Sequence, residues 1–336
     1  MGVQISSILP KKEIEITELS GKTVAVDAFL WLHQFLSIIR QPDGTPLKDS
    51  KGRVTSHLSG VFYRSAKLLE KNIKLIWVFD GIRPDFKAST TMERRILKEE
   101  ADRKWKEALE KGDLIEARKA AQAASFLTEE MIEQSKNLLN YMGVSTIQAP
   151  SEGEAQCAYL CQKNLVYSTA SQDSDSLLFN SPRLLRNLSI TGRRKLPRQD
   201  VYIEVKPELI ELERILNELK IKREQLILIS LLVGSDYNQG IKGYGPKKAL
   251  SLVRKEKTLK NVLKKIEWNC DTPAESIYDF YLNPPVKDVD IEFKPVESDK
   301  ILKLLVDEHE FSQERIEKVI KTLTEAKQTS LGSWLK

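Results

Sequence analysis

"IKLIWVFD", residues 73–80, is the stretch on which the fold turns. It is a short β-branched and aromatic run that closes on an acid. Three more runs have the same shape: "KTVAVD" (22–27) ends at Asp27, "VSTIQAPSEGE" (144–154) runs into Glu152 and Glu154, and "VYSTASQDSD" (166–175) ends at Asp173 and Asp175. Helical patterns such as "HLSGVFYRSAKLLEKN" (57–72) and "EEMIEQSKNLLNYMG" (129–143) lie between them. Strands alternating with helices predict an α/β fold, a mostly parallel central sheet flanked by helices.

Other segments read differently. Residues 87–124 hold ten Lys and Arg against eight Asp and Glu, few large apolar residues and a break at Gly112. They predict two charged helices projecting from the body, or a solvated hairpin laced by i,i+4 pairs. Residues 208–265 read as helical, from "ELIELERILNELK" through "KREQLILISLLVG" to "GPKKALSLVRK". A Pro-rich acidic connection at 283–300 follows, then helices to about 327, and "QTSLGSWLK" (328–336) reads as a flexible tail.

In an open parallel sheet, ligands bind outside the carboxyl ends of the strands. Four strand ends here bring Asp27, Asp80, Glu152, Glu154, Asp173 and Asp175 to that edge. Asp236, in "LLVGSDYNQG", follows an apolar helix and can join them or serve as a turn residue. One acid after one strand is an ordinary helix cap; six after four strands repel one another unless a cation neutralises them. All-oxygen sites suit Mg²⁺ or Mn²⁺, and two such ions about 4 Å apart serve phosphoryl displacement. No G-x-S-x-G, Walker A or helix-opening G-x-G-x-x-G motif offers other chemistry. "APSEGEAQC" (149–157) leaves one question open: Ser151 and Glu154 also fit a capping box.

"GIKGYGPKKAL" (240–250) is a second signal. Gly243, Gly245, Lys247 and Lys248, around a helix that starts at Pro246, suit a phosphate, although an ordinary helix–turn–helix unit reads the same way. "RNLSITGRRKLPR" (186–198) extends that basic face or is a solvated hairpin tip.

Composition sets bounds. The 336 residues are 41% hydrophobic and 30% charged, as in an intracellular globular protein, and the net charge of +5 permits a polyanion partner without requiring one. Cys157, Cys161 and Cys270 fit neither a zinc site nor a disulfide framework. No apolar run nears the roughly 18 residues of a membrane span, so no membrane partner is expected. "MGVQIS" matches a myristoylation pattern but lacks a polybasic second anchor.

Taken together, "MGVQ", "VAVDA", "QFLSIIRQ", "TSHLSGVFYR", "VFDG", "APSEGEA", "LLVGSDY", "GPKKA" and "FSQERI", in this order, resemble the structure-specific 5′-nucleases, and within them the flap endonucleases of archaea and eukaryotes. The short tail looks archaeal. The resemblance implies one nuclease domain (1–327): an N-terminal region (1–100), a helical arch (about 85–128), and an internal region (129–260) with a helix-two-turn-helix (about 223–255). It implies that Asp27, Asp80, Glu152, Glu154, Asp173, Asp175 and Asp236 hold two Mg²⁺, with Mn²⁺ able to substitute. Lys87 and Arg94 would reach the scissile phosphate from the arch. Gly2, His33, Arg40 and Thr55 would contact DNA. Gly240, Ile241 and Tyr244 would form a K⁺ loop on the duplex. Gln328, Leu331, Trp334 and Leu335, in a tail of 328–336, would bind the sliding clamp (PCNA).

The implied activity is cleavage of flap, nicked or gapped DNA by a monomer, as 5′ flap endonuclease and 5′–3′ exonuclease, in Okazaki fragment maturation and repair. The implied location is the cytoplasm and its nucleoid. His33 stands where many members have a stacking Tyr, and Gly153 where eukaryotic members have Ala. Two other readings use the same residues: a DNA-junction and clamp-binding module without turnover, and a small-molecule phosphatase. The second leaves "GIKGYGPKKAL" and the tail unexplained.

Overall fold

β-branched and aromatic residues at Thr23–Asp27 (β2) and Lys74–Phe79 (β3) form the centre of a seven-stranded sheet. In the computed structural model, the backbone is described for residues 2–124, 126–190, 192–195 and 202–332, and the side chains of these except 85, 88–95, 190, 193–195, 202–203 and 326–332. With β1 at Lys12–Glu13, β4 at Ser145–Gln148, β5 at Ser168–Ala170, β6 at Arg183–Arg186 and β9 at Glu208–Glu211, the sheet order is β1-β9-β6-β5-β2-β3-β4. Strands β6, β5, β2, β3 and β4 are mutually parallel; β9 joins β6 and β1 antiparallel. A separate two-stranded ribbon pairs Gly192–Lys195 (β7) with Tyr202–Val205 (β8).

Every residue of β3 after Lys74 is buried. Leu75, Trp77 and Phe79 enter one apolar cluster, while Ile76 and Val78 enter another on the opposite face. That is the period-two alternation of a strand covered on both sides. The first face packs against Ala28–Ile38 (α1), Ser56–Leu69 (α2) and Glu129–Tyr141 (α5). Between α2 and α5 come Ala88–Glu110 (α3) and Leu114–Ala123 (α4), the two charged helices, which pack on each other and turn at Gly112 with φ +71°. The other face carries Gly153–Gln162 (α6) and Asp175–Leu178 (α7), then Leu212–Glu218 (α8), Arg223–Val233 (α9) and Pro246–Glu256 (α10). Leu259–Leu263 (α11) and Ala274–Leu282 (α12) complete that side. Ser298–Leu302 (α13) and Gln313–Gly332 (α14) return to the first.

Two boundaries differ from the sequence reading. Glu208–Glu211 is strand β9, not the start of a helix, because its backbone pairs with β6 while residues 208–210 are buried. α14 is helical through Gly332, past the expected end near 327, because "AKQTSL" (326–331) has no breaker. Among the described residues, no helix is long and apolar enough to cross a membrane.

α1 and α2 cross at Gly60. A Cβ there would stand 2.2 Å from Cγ and 2.4 Å from Cδ2 of Phe35, whose ring is itself locked against Trp31 and Trp77. Gly60→Val is therefore expected to lose about 3 kcal/mol by overpacking, read as a lower denaturant midpoint at unchanged slope. A wild-type midpoint would contradict this crossing.

Candidate metal centre at the carboxyl edge of the sheet

Asp27 ends β2 and caps α1, its Oδ1 accepting from Leu30 N at 3.1 Å. Asp80 directly follows β3, and its Oδ1 accepts from the backbone N–H of Gly153 at 2.8 Å. The acid of one strand thus caps the helix that follows its neighbour. Gly153 makes room for this: a Cβ would lie 2.7 Å from that oxygen. The capping box is not formed. The N-cap of α6 is Glu152, with no side-chain cap bond, and Glu154 Oε1 instead accepts from Ser171 Oγ at 2.9 Å, across on the β5 side.

Asp173 and Asp175 follow β5 and are held by the start of the chain. Gly2 N donates to Asp173 Oδ2 and Val3 N to Asp175 Oδ1, both at 2.9 Å. A Cβ at Gly2 would lie 2.6 Å from Asp173 Cβ, so only glycine fits this approach. Lys87 enters from the turn before α3. Its Nζ donates to Glu152 at 2.8 and 3.0 Å and lies 3.8 Å from Asp236 Oδ2.

Burial and mutual repulsion raise these acids. Asp27 is held well above the usual carboxylate range by burial and then by Asp80. Glu154 is held there by burial and then by Asp175, Asp27 and Asp173. Asp175 is pushed up to about 7 by burial, then by Asp236 and Asp173. Asp80 and Glu152 rise through burial although Lys87 opposes it. Burial works most strongly on the Lys87 ammonium and against its charge, but Glu152, Asp236 and Asp80 together outweigh it and raise its pKa. Among the described residues, Lys87, with Arg83 acting on Asp80, leaves the seven carboxylates an excess of negative charge that a hard cation fits, and every donor is oxygen. Among the described residues, no three of these side chains already close on one point as a metal shell; their carboxylates face backbone N–H groups, Ser171 and Lys87 instead.

Comparisons with known proteins give the family of the chain. Family models described as XPG N-terminal domain and XPG I-region match residues 1–101 and 143–236, the two segments that carry the acids. The chain is 54% identical to Flap endonuclease 1 of Pyrococcus furiosus over 342 residues, covering 100% of both chains. It is also 54% identical to that of Thermococcus onnurineus, covering 99% of both. The chain belongs to the flap endonuclease family. Its fold superposes on the flap endonuclease-1 structure from Methanococcus jannaschii with a TM-score of 0.77 at 40% identity, over 98% of this chain and 100% of that one. It also matches the catalytic core of Rad2 in complex with DNA substrate, with a TM-score of 0.73 at 26% identity, over 96% of this chain and 100% of that one.

Within this flap endonuclease fold, other candidates lie apart from the acids. Arg40 and Thr55 sit past the far end of α1, about 16 Å along its axis from Asp27. The Arg40 guanidinium donates to the carbonyls of Leu36 and Gly44, and Thr55 is buried before α2. His33 is half-buried on α1. Gly240 turns the α9–α10 loop at φ +76°, where a Cβ would strike the Val233 carbonyl at 2.5 Å; Ile241 N donates to Leu232 O, and Tyr244 N to Ile241 O. Gly243, Gly245 and Lys247 are exposed around the start of α10, as is Lys248, whose Nζ lies 4.4 Å from the Tyr244 ring centroid. The side chains of Arg94, Gln328 and Leu331, and all of Trp334 and Leu335, lie outside the described residues, as does the ribbon tip at 196–201.

The sequence reading missed Ser171, which supports Glu154 and accepts from Asp173 N at 3.2 Å. Its signal was the local spacing Ser171–Gln172–Asp173, a serine turn. It also missed the rings of Phe86, Tyr237 and Phe280 behind Lys87, which carry no local signal.

Proposed function

We propose that this chain is a metal-dependent, structure-specific 5′ flap endonuclease and 5′–3′ exonuclease that hydrolyses DNA phosphodiesters at single-strand/double-strand junctions. One observation carries the reading: seven carboxylates from parallel strand ends and the α9–α10 loop meet at one sheet edge with Lys87 among them. Asp27, Asp80, Glu152, Glu154, Asp173, Asp175 and Asp236 would hold two Mg²⁺, or Mn²⁺ in their place. Such ions, when bound, supply an activated water and neutralise the leaving oxygen. Lys87 would turn from Glu152 to the scissile phosphate and stabilise its transition-state charge, a role that Arg94 would share. The chain start holds Asp173 and Asp175 in place through the N–H groups of Gly2 and Val3.

The α9–α10 loop, with Gly240, Ile241 and Tyr244, would bind K⁺ and grip the duplex, and the N–H groups at the start of α10 with Lys247 and Lys248 would face backbone phosphates. Gly2, His33, Arg40, Thr55, Gly243 and Gly245 would contact DNA, and residues 328–335 the sliding clamp. The setting would be Okazaki fragment maturation and repair, by a monomer.

Cleavage-site mapping on a double-flap DNA tests this. The expected result in Mg²⁺ is incision next to the junction, abolished by EDTA. Tight flap binding with no incision in Mg²⁺ or Mn²⁺ would favour the non-catalytic junction module instead.

A further inference from the structure

The base of the charged hairpin is pinned by rings. Phe86 lies in the single 3-10 turn Asp85–Lys87 that leads into α3. Its ring meets Tyr237 edge-on, centroids 5.3 Å apart at 82°, and Phe280 likewise, 5.2 Å at 81°. Tyr237 and Phe280 also touch, 5.4 Å at 77°. The three rings come from three distant parts of the chain: the turn before α3, the α9–α10 loop, and α12. Behind them, Phe179 and Tyr281 continue the cluster into the core. Edge-to-face pairs hold a preferred geometry beyond their buried area.

Lys87 is the next residue. Its Nζ lies 5.7 Å from the Tyr237 ring centroid and reaches Glu152, while its backbone N–H donates to Pro84 O at 3.0 Å. A lysine has a long, freely rotating stem. Placed between a strand end and a solvated helix, it needs an anchor to stand in one place. The acid cluster accounts for the charge of Lys87 but not for the apolar neighbour that fixes its backbone.

We propose that Phe86 is a positioning residue: docked on Tyr237 and Phe280, it sets where Lys87 stands and ties that position to the loop between α9 and α10. The proposal rests on Lys87 being the phosphate-facing cation of the proposed function. Because Tyr237 follows Asp236 on that loop, a duplex held by the loop and a lysine aimed at the phosphate share one rigid contact. Such preorganisation matters for rate, since a displacement of about 1 Å at a reacting group costs up to about 100-fold.

The test is a double-mutant cycle between Phe86→Ala and Lys87→Ala, read by single-turnover cleavage of flap DNA with enzyme in excess. Phe86→Ala is expected to slow cleavage about 10- to 100-fold, with the Kd for flap DNA unchanged within about twofold and with Phe86→Leu recovering most of the rate. In the Lys87→Ala background, Phe86→Ala is expected to change the rate by no more than about twofold, because it acts through the missing lysine. An equal slowing with and without Lys87, or a loss of binding that matches the loss of rate, would overturn the proposal. Wild-type cleavage by Phe86→Ala alongside slow cleavage by Lys87→Ala would sink it while leaving the role of Lys87 standing; wild-type cleavage by Lys87→Ala would sink both the proposal and that role, though not the nuclease activity. If thermal unfolding shows that Phe86→Ala does not fold, Phe280→Ala, which removes one of the two rings on which Phe86 docks, completes the same cycle with and without Lys87.

Discussion

Asp173→Ala is expected to cut flap cleavage in Mg²⁺ by at least about 10³-fold, roughly 4 kcal/mol of transition-state stabilisation, while flap binding holds. Asp173 sits after β5, partly open to solvent, with Gly2 N on one oxygen and Ser171 Oγ at its own N–H. Under the proposed function, its loss removes a cation ligand without opening the core. Affinity for DNA should survive, because binding a polyanion rests on phosphate contacts elsewhere and is not weakened by deleting a negative charge. Asp173→Asn sharpens the test: it keeps the shape and an acceptor for Gly2 N–H but not the charge. The same loss in both variants assigns the effect to the carboxylate. Recovery in the Asn variant would show that Asp173 merely holds the chain start.

The second large effect is on stability. Asp175 has an ordinary pKa of 3.8 and is pushed up to about 7 in the folded chain. Between these values the unfolded chain has released its proton and the folded one has not, so unfolding becomes easier as pH rises through this window. The contribution is intact below about 3.8 and fully lost above about 7, on the order of 4 kcal/mol for this group in metal-free protein. Asp27 and Glu154 shift the same way. Under the proposed function, a divalent cation would bind only the folded, ionised cluster and offset that cost.

Mg²⁺ is therefore expected to raise the Tm of EDTA-treated protein by several degrees more at pH 8 than at pH 5. Buried His57 runs the other way. Its pKa is lowered to about 4 by burial, so its contribution grows as pH rises from about 4 to 6.5. It bonds Gln134 rather than the acids, so the increment caused by Mg²⁺ isolates the cluster. Calorimetry at both pH values checks this, and an equal increment at pH 5 and pH 8 would contradict it.

β2, β3, β4 and β5 were legible because each announces itself twice, by an apolar run and by the acids that follow it; β6, parallel to β5 but followed by Asn187 rather than an acid, was not. Neither was β9. In "ELIELERILNELK", Leu209, Ile210, Leu212, Ile215 and Leu216 satisfy a helical spacing as well as a strand's, and only pairing with β6 decides for Glu208–Glu211. Six of the seven acids could be gathered from the strand-edge rule, since each closely follows β2, β3, β4 or β5; Asp236, which follows helix α9, could not. Their supports could not. Gly153 N on Asp80, Ser171 Oγ on Glu154 and Gly2 N on Asp173 join residues 73, 17 and 171 positions apart. The contact of Phe86 with Tyr237 and Phe280 is of the same long-range kind, a product of tertiary packing that no local pattern encodes.

Mn²⁺ binding, counted per chain by electron paramagnetic resonance at pH 8 in the wild type and in Asp173→Ala and Glu154→Gln, tests the account most directly. The account predicts about two ions per wild-type chain and fewer or weaker ions in each variant, with the fold intact by circular dichroism. A wild-type chain that binds no Mn²⁺, or variants that bind it as the wild type does, would contradict the assignment of these carboxylates to a metal centre.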